Sequence, residues 1–140
     1  MVEATAAQQN RIKKLIDDIL PAEHRVLPTV SAGDGCLYIT ISPGVSSEST
    51  VGELSQETLV RAVCWLAARL VIGDIAPVSL IIATNGDSRP PSPSEMAHAN
   101  TIEVWYRKAS RGLPAENRHS LGARFRPVGK YADCLDAFNR

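Results

Sequence analysis

QETLVRAVCWLAARLVIGDIAPVSLIIATNG, residues 56–86, holds two hydrophobic periods in succession, and the change between them sets the fold class. In the first part Leu59, Val63, Leu66 and Leu70, joined by Val60, Ala67 and Val71, recur at helical steps and build one broad apolar face. Ser55 stands where the helix needs a capping oxygen, and Gly73 where it needs a stop. Glu57, Arg61 and Arg69 mark its expected wet side, with Trp65 off the main stripe at an exposed or interface-filling position. In the second part VSLIIA, residues 78–83, is a continuous apolar run between Pro77 and Asn85-Gly86, which predicts a strand buried on both faces.

Upstream, Ile12, Leu15, Ile16, Ile19 and Leu20 recur at helical spacing. Arg11, Lys13, Lys14, Asp17 and Asp18 fill the other face, so an amphipathic helix is expected, ended by Pro21. Asn10 is a candidate cap, although the Ala-rich residues 4–8 allow an earlier start. Residues 26–41 then change period, and CLYITI alternates its side chains with β-branched and aromatic members. Asp34-Gly35 supplies the positive φ of a tight turn, and Pro28 confines the first arm of this predicted hairpin to a sheet edge.

Downstream, three prolines in residues 85–100 predict a long irregular loop, and TIEVWYRKA, residues 101–109, a further strand. KYADCLDAFNR places Tyr131, Cys134, Leu135 and Phe138 at helical spacing, so a short terminal helix is expected. The order α-β-β-α-β-β-α predicts a two-layer α+β fold, with a four-stranded antiparallel or mixed sheet covered by helices. At 140 residues the chain suits one globular domain, 1–140.

Composition of 44% apolar and 21% charged residues excludes whole-chain disorder and collagen-like repeats. Glu3 and the periodic apolar residues near the start argue against an export signal. The longest uncharged runs fall far short of the roughly 20 apolar residues a membrane span needs, so a cytoplasmic protein without a membrane partner is expected.

Charge is uneven although the total is neutral. Residues 31–106 carry eight acids against three bases, whereas residues 107–140 carry eight bases against three acids. The basic segment 105–130 interleaves Arg107, Lys108, Arg111, Arg118, Arg124, Arg126 and Lys130 with the rings of Trp105 and Phe125. Such cations neutralise phosphates and release counterions, while rings offer stacking faces to unpaired bases. Glycines and prolines interrupt the segment, so no recognition helix for a major groove is expected. The preferred reading is therefore a non-enzymatic binder of a polyanion, above all RNA or single-stranded DNA. The alternative is an interaction module in which the acidic middle of one copy meets the basic tail of another, forming a homo-oligomer.

A small cysteine- or histidine-dependent enzyme is the second alternative. The chain has neither GxxxxGK[ST] nor GxGxxG, GxSxG or HExxH, so nothing points to nucleotide hydrolysis, a nucleophile elbow or a zinc protease, and no cofactor is expected. Cys36, Cys64 and Cys134 lack paired spacing and read as reduced packing residues. Glu95 and His98 stand three apart but occur once, which favours a solvated loop histidine over a metal ligand.

Overall fold

The computed structural model describes residues 3–20, 24–46, 48, 50, 51 and 54–111. Helix α1, Ala6–Ile19, starts at Thr5. There the Thr5 hydroxyl accepts the Gln8 amide, and the Gln8 side chain accepts the Thr5 amide in return. This reciprocal cap satisfies two orphan donors, and it moves the start upstream of Asn10, which lies inside the helix. Ile12, Ile16 and Ile19 form its buried stripe.

Strands β1, Pro28–Gly33, and β2, Cys36–Ile41, form the expected hairpin. Asp34 (φ 52°) and Gly35 (φ 78°) are both left-handed, which matches the right-handed twist of the arms they join. A small pair, β3 (Thr50–Val51) with β4 (Leu54–Ser55), leads into helix α2, Gln56–Ile72. Ser55 caps α2 by accepting the Thr58 amide, and Gly73 closes it. A single 3-10 turn, Pro77–Ser79, precedes β5, Leu80–Thr84, which a second left-handed pair, Asn85 and Gly86, folds back into β6, Asp87–Arg89.

The sheet has the order β1-β2-β5-β6. Its central pair β2 and β5 is parallel, with Leu37 opposite Leu80 and Ile39 opposite Ile82, while both outer pairs are antiparallel. Parallel neighbours need a crossover, and α2 provides it. Among the described residues the architecture is thus α+β, three helices on a four-stranded mixed sheet, in the order α-β-β-α-β-β-α once the short β3–β4 pair is set aside.

Three local expectations are corrected. Residues 85–100 are no loop, because they hold β6 and the first half of helix α3, Pro93–Arg111. Residues 101–109 are helical too: Ser92 accepts the Glu95 amide at the helix start, Pro93 occupies the first turn, and Ala99, Ile102, Trp105 and Ala109 make a buried helical stripe. The β-branched residues that suggested a strand lower helix propensity only by some tenths of a kcal/mol each, which packing on α2 overrides. Strand β5 alternates buried and half-buried residues, so it is covered on one face and not on both. The predicted helix at residues 131–138 lies outside the described residues.

The core joins Val30, Leu37, Ile39, Leu80 and Ile82 of the sheet to Ile12 and Ile16 of α1, Ile102 and Trp105 of α3, and α2 throughout. Every side chain from Leu59 to Ala68 is buried, so α2 has no wet face over these turns. Arg61 is among them, fully buried, and Trp65 is only 4% exposed, in place of the wet side and the exposed aromatic that the sequence suggested.

Candidate anion interface

Helix α3 runs alongside α2 in the same direction, and two ion pairs fix their register. Arg61 meets Glu95, and Arg69 meets Glu103, each across a separation of 34 residues. Trp65 and Ala99, both buried, stand at the same offset.

The Arg61 guanidinium has every side of its fork occupied. Its Nε donates to both Glu95 oxygens at 2.9 and 2.7 Å. One terminal nitrogen donates to the Ile82 carbonyl at 2.7 Å, the other to the carbonyls of Arg89 and Pro90 at 3.0 and 3.1 Å. Arg89 adds a contact of 2.6 Å to Glu95 and another to Asp87. Burial pushes the Glu95 carboxyl up, but the hydrogen bonds and charges of Arg61 and Arg89 outweigh it and hold the group below the ordinary carboxylate range. The bonds to Glu95 likewise raise Arg89, against the opposing effect of its burial. The cluster fastens the β5–β6 hairpin to the two helices.

The surface end of the seam is different. Arg69 donates to Asn100 Oδ1 at 2.7 Å and to Glu103, and its guanidinium lies 5.4 Å from the centre of the Trp65 ring. Arg107 donates to the second Glu103 oxygen at 2.8 Å. Two cations therefore share one carboxylate, and Lys108 beside Arg107 and Arg111 one turn on are both exposed. At 3.6 residues per turn, Arg107, Lys108 and Arg111 span an arc of about 100° on the outer side of α3. Neither Lys108 nor Arg111 has an ion-pair partner among the described residues. Both also lie at the helix end where cations favour the macrodipole.

Of the residues singled out from sequence, the fold brings Arg107, Lys108 and Arg111 together and removes Trp105. That ring is 1% exposed and belongs to the core, so it is not a stacking platform. Arg118, Arg124, Phe125, Arg126 and Lys130 lie outside the described residues. Sequence reasoning missed Arg69, Asn100 and Glu103, because their relation exists only when residues 93–111 are helical.

Among the described residues the thiols of Cys36 and Cys64 lie on β2 and α2, and the imidazole of His98 on α3. Cys64 is buried and its thiol is pushed up to about 12, chiefly by burial. Cys36 is half-buried on the opposite face of the sheet. His98 lies on α3 and is shifted downward by burial. A concavity of about 440 Å³ between the start of α1 and the β1–β2 turn is lined by Glu3, Ala4, Thr5, Ala32, Gly33, Asp34 and Gly35, none of them a thiol or imidazole. Among the described residues no three metal-binding side chains cluster, and Glu95 is engaged by Arg61 and Arg89. No helix of the described residues is long and apolar enough to cross a membrane.

No family model matches the chain, and neither the curated proteins nor the solved structures provide a match.

Proposed function

We propose that the protein binds a polyanion through the outer side of the last two turns of α3, with charge and not ring stacking as the source of affinity. The observation that supports this reading is the placement of Arg107, Lys108 and Arg111 on one exposed arc while Trp105 faces the core. Arg69 and Arg107 share a single carboxylate, so the patch keeps an excess of positive charge. Cations so placed attract phosphate or sulfate groups by counterion release, a term that carries no base preference. RNA and single-stranded DNA remain the expected natural ligands, read by their backbones.

The competing interaction module depends on an acidic middle that is available to a partner. Glu95 and Glu103 are each paired with two arginines of their own chain, but Asp34, Glu48 and Asp74 stay exposed, so the anion reading rests on the cations of α3. A labelled oligonucleotide of mixed sequence followed by fluorescence anisotropy tests it. The expected result is binding at low salt that inorganic polyphosphate displaces. Absence of binding, or binding that polyphosphate leaves intact, contradicts the proposal.

A further inference from the structure

Glu103 sits between two unequal arginines. Arg69 reaches it from α2 and is held at two further points, the Asn100 side chain and the Trp65 ring, with its own side chain 24% exposed. Arg107 reaches it from one turn further along α3, through Nε alone among the described residues, and its side chain is 58% exposed. An exposed i,i+4 pair of this kind contributes little, because solvent and salt screen it and two long side chains must be ordered to make it. Arg107 is therefore the cation that leaves the carboxylate most readily, and Arg69 the one that stays. From Met96 to Arg111 the helix carries Glu103 as its one acid, set beside the cations of the anion interface.

We propose that Glu103 is an internal competitor of the ligand, an autoinhibitory carboxylate from which a phosphate or sulfate group of the polyanion takes Arg107. This rests on the anion reading above and adds what limits the affinity of that site. With no anion bound, the carboxylate stands in for one, holding Arg107 by Nε. When a phosphate approaches, it gains Arg107 only against this pair and against the negative charge of Glu103 itself. The pair orients Arg107 weakly, for the reason just given, whereas the charge acts on any phosphate that nears the arginine. Competition therefore outweighs orientation, and Glu103 weakens binding. Arg69, fixed by Asn100 and Trp65, keeps the carboxylate in place when Arg107 departs, so the exchange disturbs neither helix.

Oligonucleotide anisotropy of the full chain across a salt series tests this with Glu103→Gln, whose amide oxygen still accepts from Arg69. The control is Asp34→Asn, the same change of charge in the β1–β2 turn, at the opposite edge of the sheet from β6, where Asn also suits the left-handed backbone. Removing the competitor adds about one cation to the contact, so Glu103→Gln is expected to bind about 3- to 10-fold more tightly at low salt, with a slope of log K against log salt steeper by roughly 0.7. Asp34→Asn is expected to stay within about twofold of the wild type, because screening confines the effect to nearby charges. Equal or weaker binding by Glu103→Gln overturns the inference while leaving the anion reading in place. Equal tightening by both variants also overturns it, since the effect is then one of net charge. A wild type that binds no oligonucleotide overturns both the anion reading and this inference. If Glu103→Gln folds poorly, the wild type decides alone: inorganic polyphosphate is expected to move the Arg107 Nε–H signal in a nitrogen-15 NMR spectrum, and an unmoved signal overturns the inference.

Discussion

Arg61 on α2 holds Glu95 on α3 by two bonds from one nitrogen, 2.9 and 2.7 Å, with both side chains shut away from solvent. A charge pair removed from water contributes little net stability unless its remaining donors are used, and here they are, on the carbonyls of Ile82, Arg89 and Pro90. The pair therefore specifies how the hairpin and helices meet more than it adds to stability.

Breaking one side of this pair should be costly and replacing both much less so. Glu95→Ala leaves Arg61 charged and buried, with an expected loss of about 3–5 kcal/mol in urea denaturation. The double variant Arg61→Met, Glu95→Leu should recover part of that loss. Two single losses that simply add in the double variant would show that the side chains do not act as a pair.

Acid should reveal the same carboxylate. The folded Glu95 titrates below its unfolded value of about 4.3, so its contribution is fully present above that value and is lost as pH falls through the folded pKa. Thermal unfolding between pH 7 and pH 2 should show the wild type losing stability below about pH 4 more steeply than Glu95→Gln, in which this group no longer titrates. Parallel curves for the two proteins would contradict the assignment.

Trp105 should matter for folding and not for ligand contact. Trp105→Phe keeps most of the buried ring, so oligonucleotide affinity per folded molecule should stay within a factor of two or so, while stability falls by the 1–3 kcal/mol typical of a reshaped core. A tenfold loss of affinity at unchanged stability would mean that the ring touches the ligand.

The two described thiols should differ in reactivity. With the Cys64 thiol pushed up to about 12 and fully buried, iodoacetamide at pH 8 should label Cys36 and spare Cys64 until urea is added, as peptide mapping would show. Equal labelling of both in the native protein would place Cys64 outside the core.

Helix α2, the first hairpin, strand β5 and the fold class were legible because periodicity, caps and turn residues agreed over those segments. The failures came where a local signal competed with a distant one. Asn85-Gly86 is a hairpin signal as clear as Asp34-Gly35, but the prolines that follow concealed the three-residue β6. Thr101, Ile102, Val104, Trp105 and Tyr106 look like strand material taken alone, whereas the Ser92 cap and the inward stripe decide for helix. Arg61 could not be placed by its type, since arginines are rarely fully buried. The cue was paired spacing: Arg61 and Arg69 match Glu95 and Glu103, which becomes visible only once both segments are helices. For the candidate site, the cations of α3 were readable from composition, and the inward turn of Trp105 was not.

The central claim, that the outer side of α3 holds a polyanion by charge, is tested most directly by the salt dependence of oligonucleotide binding in the wild type and in Arg107→Ala, Lys108→Ala, Arg111→Ala. Each phosphate contact contributes roughly 0.7 to the slope of log K against log salt for a single strand, so the triple variant should bind more weakly at low salt, with a slope shallower by about two. Identical slopes and affinities for the two proteins would contradict the account.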